Sequence, residues 1–288
     1  MPTALITGTS TGIGQETARH LARQGYHVFA SMRTPETGSA PLRELAEKED
    51  LKIDIVQLDV NDPASCEQAV QEVLQKAGQI DVLINNAGVG GSGAIEETPD
   101  ERLKAVFETN FFGDIRMCRL VVPGMRERQS CTIVNITSVA GRITGAMRTA
   151  YSASKHALEA ATECLAQEVR RFNIRVALIE PGVIQTPIFG KNKRVPDPDS
   201  PYADLKYRDR RYFAKRLENP SQPELVAKAI HHAIETDRPK LRYPVGEDAK
   251  RRIAGRERLT DEEWVDFGRA MSEDEWAAFY REHFDLEV

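Results

Sequence analysis

Over its first 180 residues the chain alternates short β-branched runs with longer amphipathic segments, and this pattern constrains the fold more than any other feature. Strand candidates lie at 3–7, 27–30, 52–58, 80–84, 132–136 and 175–179, and helix candidates at roughly 13–24, 63–77, 100–126 and 151–172. Strands that alternate with helices form βαβ crossovers, which place helices on both faces of a parallel sheet. The sequence therefore predicts an α/β, doubly wound parallel sheet, and a last strand at 241–245 brings it to about seven strands.

Composition narrows the class of protein. A chain of 288 residues with 41% hydrophobic content can bury a core without metal or disulfide staples. The net charge of −5 leaves no basic footprint for nucleic acid. The four cysteines lie far apart without metal-type spacing, so we expect reduced thiols and no metal site. No apolar run is long enough to span a membrane and the first residues do not resemble a secretion signal, so we expect a cytoplasmic protein.

The second part of the chain is less regular. Residues 188–220 are charged, rich in proline and too long for an ordinary connector, so we expect a substrate lid there. A helix is predicted at 221–236, with Ser221 as its N-cap and Glu224 as the capping-box partner. We predict one domain over 1–245 and a helical extension over 246–288 packed on it, with capping-box helix starts at 260–263 and 272–275. The aromatic residues of this extension indicate core or subunit packing more than a ligand site; they are Trp264, Phe267, Trp276 and Phe279.

A glycine-rich loop joins the first strand to the first helix. Gly8, Gly12 and Gly14 would allow a tight turn, close approach of a pyrophosphate and close packing of helix on strand. The helix N-terminus at Ile13 would supply free N–H donors. Ser10 and Thr11 in the loop, and Ser31 directly after the second strand, could add hydroxyl donors for a phosphate. The loop and its context predict a dinucleotide site, although the spacing G-x-x-x-G-x-G differs from the commoner fingerprint.

The end of the second strand indicates which dinucleotide binds. An enzyme specific for NAD usually has a carboxylate here that accepts a hydrogen bond from the ribose 2′-hydroxyl. This chain has Arg33, whose guanidinium can instead bind a 2′-phosphate. The sequence therefore favours NADP(H) and leaves NAD(H) open.

A candidate catalytic group follows the fifth strand. Tyr151 and Lys155 are four residues apart on a predicted helix, so their side chains share a face. An ammonium group beside a phenol favours the phenolate, which suits Tyr151 to general acid–base catalysis. Ser138, which follows the strand, could donate a hydrogen bond to a carbonyl oxygen as charge develops on it.

These features occur together and in a characteristic order. The stretches are T7-G-T-S-T-G-I-G14, L58-D-V60, N85-N-A-G88, Asn110, Ser138 and Y151-S-A-S-K155. On these motifs the chain resembles the short-chain dehydrogenase/reductase family over about its first 190 residues. The segments A30-S-M-R33, G90-G-S-G-A-I-E96 and R242-Y-P-V-G246 are similar to those of its hydroxysteroid and retinol dehydrogenase branch. The resemblance implies a Rossmann-type fold and a homodimer, or a tetramer, assembled through helices 100–126 and 151–172.

The resemblance also implies roles for particular residues. Asn110 would hold a water that links Lys155 to solvent, and Lys155 would bond the nicotinamide ribose. Asp59 would bind the adenine, with Val60 packed nearby, and Thr186 would bind the carboxamide. The remaining implied cofactor contacts are Asn86, Ala87, Gly88, Tyr151, Pro181, Gly182 and Val183.

The sequence thus predicts reversible hydride transfer between NADP(H) and a carbonyl or secondary alcohol. Aromatic residues in the predicted lid suggest a hydrophobic small-molecule substrate, while its many lysines and arginines also allow an acidic group on that substrate. Two alternatives stay open. The first is a 3-oxoacyl thioester reductase, which would need a basic surface beside the cleft. The second is an NADP-binding sensor without turnover.

Overall fold

One parallel sheet organises the molecule. The computed structural model describes residues 1–190 and 199–288. The strands are β1 (Thr3–Ile6), β2 (His27–Met32), β3 (Ile53–Gln57), β4 (Val82–Asn85), β5 (Cys131–Ile136), β6 (Ile174–Pro181) and β7 (Arg242–Val245). Their order is β3-β2-β1-β4-β5-β6-β7, and every neighbouring pair is parallel. This arrangement confirms the predicted seven-stranded Rossmann-type fold.

Helices cover both faces of the sheet. They are α1 (Gly12–Arg23), α2 (Pro35–Gly38), α3 (Ala40–Glu49), α4 (Pro63–Ala77), α5 (Asp100–Phe107), α6 (Gly113–Arg128), α7 (Thr149–Val169), α8 (Ala203–Arg216), α9 (Pro223–Glu235), α10 (Glu247–Arg256), α11 (Asp261–Asp266) and α12 (Glu273–Phe284). One core lies between the sheet and α1 and α9, and a second lies between the sheet and α4 and α6. Because both faces are covered, β4 and β5 are buried along their whole length, in keeping with their largely apolar sequences.

Two predicted helices differ from the structure in detail. The long helix predicted at 100–126 is present as continuous helix from Asp100 to Arg128, but it contains a π-helical turn, Glu108–Phe112, between α5 and α6. The predicted N-cap at Ser221 is incorrect, since α9 begins at Pro223 with Gln222 in the N-cap position. Ser221 instead belongs to a bridge with Ile184, in which its carbonyl accepts from the N–H of Gln185 at 2.9 Å. A backbone tied to another segment in this way cannot also begin the helix.

The segment expected as a lid contains a helix. Part of the predicted lid, residues 191–198, lies outside the described residues, whereas α8 occupies its centre. Tyr212 of α8 is buried in an aromatic cluster with the C-terminal helices. The predicted capping boxes at Thr260 and Ser272 are both confirmed, and they begin α11 and α12. The extension therefore folds as three helices: α11 and α12 pack onto α8 through this aromatic cluster, and α10 packs against α12 and β7.

All four cysteines are free thiols. Cys66, Cys118 and Cys131 are buried in the core between the sheet and α4 and α6, and Cys164 is exposed. Within residues 1–190 and 199–288, no cluster of side chains could hold a metal ion. The same ranges contain no helix with the length and apolar character that a membrane crossing needs.

Candidate active site

The glycine loop between β1 and α1 is built for close approach. Gly8 and Gly12 have φ values of +71° and +63°, a conformation that side chains disfavour. A Cβ atom on Gly14 would lie 2.4 Å from both the carbonyl oxygen of Gly8 and Nδ2 of Asn86. Real atoms do not approach so closely, so the loop in this form requires glycine at position 14.

The loop is held by the end of β4. The hydroxyl oxygen of Thr7 accepts from the backbone N–H groups of Asn86 and Ala87, at 2.9 and 3.0 Å. In return, Nδ2 of Asn86 donates to the carbonyl oxygens of Thr7 (2.8 Å) and Gly8 (3.0 Å). Thr7 was not among the predicted site residues, although its place at the strand end, directly before the loop, is a signal that could have identified it. These bonds fix the shape of the loop.

The N-terminus of α1 is suited to an anion. Thr11 occupies the N-cap position, and among the described residues its side chain forms no capping hydrogen bond. The first turn of α1 also lacks acidic residues. Free N–H groups and the positive end of the helix dipole therefore face the loop, the arrangement that binds phosphate groups in proteins.

A cavity of about 230 Å³ lies along the carboxyl ends of the central strands. It brings together seventeen of the residues predicted from the sequence: Gly8, Ser10, Thr11, Gly12, Ile13, Arg33, Asp59, Val60, Asn86, Ala87, Gly88, Ser138, Tyr151, Lys155, Pro181, Gly182 and Thr186. Gly14 is packed behind the loop, and Val183 lines a neighbouring cavity instead. The cavity lies where the strand order reverses between β1 and β4, the usual position of a nucleotide in such a sheet.

The end of β2 presents one free cation to this cavity. Arg33 is exposed, and no carboxylate of the described part of the chain lies within ion-pairing distance of it. Ser31, by contrast, is buried in β2 and donates to the carbonyl oxygen of Ile6 at 2.9 Å. It cannot serve as a phosphate donor in this conformation, so that interpretation of the sequence was wrong.

Three of the candidate catalytic side chains lie around the ends of β5 and β6. Lys155 is 4% exposed, and its Nζ donates to the carbonyl oxygen of Ile136 at 2.8 Å. Ser138 accepts a hydrogen bond from the N–H of Ala140 at 3.1 Å and donates to the carbonyl oxygen of Pro181 at 3.5 Å. Tyr151 lies one turn before Lys155 on α7 and is half-buried.

Asn110 lies within the π-helical turn and is completely buried. Its Nδ2 donates to the carbonyl oxygen of Val89 (3.0 Å) and to the hydroxyl of Ser154 (3.1 Å). Its Oδ1 accepts from the N–H of Val89 at 2.8 Å. Asn110 thus joins the segment after β4 to α7, and a π-helical turn is a common device for aiming such a side chain. Its role toward a water molecule stays a prediction.

A second cavity, of about 1080 Å³, adjoins the first. The two cavities share Ser138, Tyr151, Gly182, Ile188 and Phe189. The outer walls of the larger cavity are aromatic and come from α8 and the C-terminal extension: Tyr212, Phe213, Trp264, Phe267, Trp276 and Tyr280. The extension therefore encloses this cleft, and its aromatic residues contribute to both packing and cavity wall.

Behind the site, Asp114 is a buried carboxyl group whose two oxygens have no hydrogen-bond partner among the described residues. Burial raises the pKa of Asp114 to about 8, although the charge of Lys155 acts in the opposite direction. Near neutral pH this carboxyl group therefore holds a proton. Asp114 is thus a titratable group close to Lys155, and the sequence analysis did not identify it.

This raised pKa makes folding stability depend on pH. Between about pH 4 and the folded pKa of about 8, folded Asp114 keeps a proton that the unfolded chain releases, so its contribution to stability falls as pH rises. We expect the free energy of unfolding of Asp114→Asn to rise by about 3 kcal/mol relative to that of wild type between about pH 5.5 and pH 8. Urea unfolding at both pH values measures this, with the exposed Asp237→Asn as control. Parallel pH profiles for Asp114→Asn and wild type would contradict the prediction.

Comparisons with known proteins agree with this architecture. The family model described as short chain dehydrogenase matches residues 2–196. The chain is 36% identical to the 3-ketodihydrosphingosine reductase of Bacteroides thetaiotaomicron over 245 residues, or 84% of this chain and 87% of the relative. It is 37% identical to human retinol dehydrogenase 8 over 256 residues, covering 83% of this chain and 80% of the relative.

Solved structures give the same result. A crystal structure of a short-chain dehydrogenase from Streptomyces avermitilis superposes with a TM-score of 0.79 at 35% identity, covering 93% of this chain and 98% of that one. A crystal structure of F189W actinorhodin polyketide ketoreductase with NADPH gives a TM-score of 0.74 at 32% identity, covering 84% and 95%.

Proposed function

Because the chain belongs to the short-chain dehydrogenase family, and is thus an oxidoreductase, we propose that it is an NADP(H)-dependent reductase of lipophilic carbonyl compounds. The reaction is reversible and relates a carbonyl to its secondary alcohol. The observation that carries this proposal is the meeting of two cavities at Ser138 and Tyr151. A cofactor in the smaller cavity and a substrate in the larger one would meet beside these two hydroxyl groups.

The smaller cavity fits a dinucleotide phosphate. Its glycine loop leaves no room for a Cβ at position 14, and the N-terminus of α1 offers uncapped N–H groups. Arg33 is the group that would hold a 2′-phosphate, and Asp59 lies at the end of β3 where the adenine is expected. The ketoreductase with NADPH, named above, supports the same choice of cofactor.

The bound cofactor would supply the hydride or accept it. In the direction of reduction, Ser138 donates a hydrogen bond to the substrate oxygen, and Tyr151 gives a proton to that oxygen. Lys155 donates to the carbonyl of Ile136, and this bond holds its amino group one helical turn from the phenol. The hydrogen bond from Asn110 to Ser154 anchors α7 and so fixes the positions of Tyr151 and Lys155 on that helix.

The larger cavity supports a lipophilic substrate. Its aromatic walls are typical of sites that bind apolar molecules. The two relatives described above are named for 3-ketodihydrosphingosine and retinol, which are both lipids. A panel of retinal, keto-steroids, long-chain ketones and 3-oxoacyl thioesters, followed through the absorbance of NADPH, tests the proposal. Turnover of none of these compounds, with NADPH still bound tightly, would contradict it and favour the sensor.

The choice of cofactor can be tested separately. Arg33→Ala is expected to weaken NADPH binding by about 10-fold to 100-fold, because a charge-assisted contact with the 2′-phosphate is lost. NADH lacks that phosphate, so its affinity should change by less than about 2-fold. Titration of both cofactors measures the two affinities, with the exposed and remote Arg238→Ala as control. Equal losses for NADPH and NADH would refute the phosphate role of Arg33.

A further inference from the structure

The larger cavity contains charged side chains, and most of them are paired. Arg148 forms two hydrogen bonds of 2.8 Å to the carboxylate of Asp209. Lys206 lies 2.8 Å from a carboxylate oxygen of Glu97, and Arg208 lies 3.4 Å from Glu273. Such pairs neutralise their own charge and leave little attraction for a substrate.

Arg252 of α10 differs from these residues. Among the described residues no carboxylate oxygen lies within 4 Å of its guanidinium, and its buried Nε has no hydrogen-bond partner. Its contacts are with Tyr212, whose hydroxyl lies 3.4 Å from Nη1 and whose ring centroid lies 5.2 Å from the guanidinium carbon. A guanidinium keeps its charge at any ordinary pH, so the cavity wall carries a permanent positive charge.

The neighbouring groups do not cancel this charge by direct contact. Asp248 lies one turn earlier on α10, but its Oδ2 accepts from the N–H of Val183 at 2.8 Å and its carboxylate packs against Gly182. Tyr212 and Tyr280 are buried phenols, and burial raises the pKa of each, so both stay neutral. A half-buried guanidinium without an anion is costly, and a bound anion would relieve that cost.

We propose that Arg252 is a substrate-binding residue that recognises a carboxylate on a lipophilic carbonyl substrate. A guanidinium presents paired N–H donors that match the two oxygens of a carboxylate. A phosphate monoester carries nearly two negative charges and would need a second free cation, whereas Arg148 and Lys206 are already paired. The aromatic walls would hold the apolar body of the same molecule.

This inference rests on the proposed function, because it assigns a substrate class to the same cleft. It can nevertheless be tested without turnover. The chain has two tryptophans, Trp264 and Trp276, and both line this cavity, so intrinsic fluorescence should report on its occupation. Decanoate and methyl decanoate are suitable probes, since they share an apolar chain and differ in charge.

Decanoate is expected to bind wild type at least about 10-fold more tightly than its methyl ester. Arg252→Gln should remove this preference and leave the affinity for the ester unchanged. Arg251→Gln is the matched control, because Arg251 is the adjacent residue, is exposed and pairs with Asp285 at 2.8 Å. That variant should behave as wild type. Equal affinity of wild type for acid and ester, which can be measured even if a variant fails to fold, would overturn the proposal.

Kinetics add a second readout. With NADPH, 9-oxodecanoate should have a lower KM than its methyl ester in wild type, and Arg252→Gln should raise only the KM of the acid. An acid preference that persists in Arg252→Gln would overturn the role of Arg252. Turnover of neither compound, together with an Arg252-dependent preference for decanoate in fluorescence, would reject the proposed reaction and retain the carboxylate site.

Discussion

Tyr151→Phe is expected to lower kcat by about 1000-fold or more and to leave the affinity for NADPH within about 2-fold of wild type. The substitution removes only the hydroxyl oxygen. That hydroxyl forms no hydrogen bond with the part of the chain that the structure describes, so its loss should not disturb folding. The half-buried ring would still fill the space between the two cavities. Steady-state rates with the preferred carbonyl compound and a fluorescence titration with NADPH measure the two effects.

Tyr207→Phe is the control for this experiment. Tyr207 lies on α8, is 58% exposed and loses the same hydroxyl group on substitution. Its variant should keep wild-type rates. If Tyr151→Phe also kept them, Tyr151 could not be the general acid, and a different proton donor beside Ser138 would be required.

Gly14→Ala is expected to weaken NADPH binding by at least about 100-fold and to lower the free energy of unfolding by about 2–4 kcal/mol. The new methyl group would lie 2.4 Å from the carbonyl oxygen of Gly8, which belongs to the backbone and cannot rotate away. Relief of that contact must move the loop or Asn86, which fixes the loop to β4. The N–H groups at the start of α1 would then no longer face the same point.

Gly124→Ala, a substitution within α6, is the control that separates the steric effect of Gly14→Ala from the change in helix propensity. Gly124→Ala meets only the end of the Arg128 side chain, at 3.4 Å, and alanine favours the helix by about 1 kcal/mol. That variant should be as stable as wild type or more so, and should bind NADPH normally. Circular dichroism during thermal unfolding and NADPH titration test both proteins. Wild-type affinity in Gly14→Ala would exclude the loop as the phosphate site.

The parts of the fold that the sequence predicted correctly depend on local patterns. Most of the seven strands are short, largely apolar runs bounded by polar turns, and the glycine loop follows directly after β1. The capping boxes at Thr260 and Ser272 were also recognised, because each involves residues only three positions apart. Such signals are complete within a few residues, so they can be read without knowledge of the tertiary structure.

The errors arose where distant contacts decide the structure. Ser221 looked like an N-cap, but its backbone bonds to Val183 and Gln185 take precedence. The charged composition of α8 concealed a helix whose apolar residue Tyr212 packs against the extension rather than against the sheet. Nor could the sequence show that Arg252 has no carboxylate partner among the described residues, because pairing among distant side chains depends on how α10 and α8 meet.

The two walls of the larger cavity have different origins along the chain. The wall that holds the proposed catalytic groups is built from strand ends and α7, whereas the aromatic wall is built largely from α8, α11 and α12. The latter two helices begin at their own capping boxes. Mutations in the C-terminal segment can therefore reshape the aromatic wall of the proposed substrate cleft without altering the proposed catalytic groups. Such a division would let one set of catalytic groups acquire new selectivities during evolution, and it makes this segment a natural target for engineering.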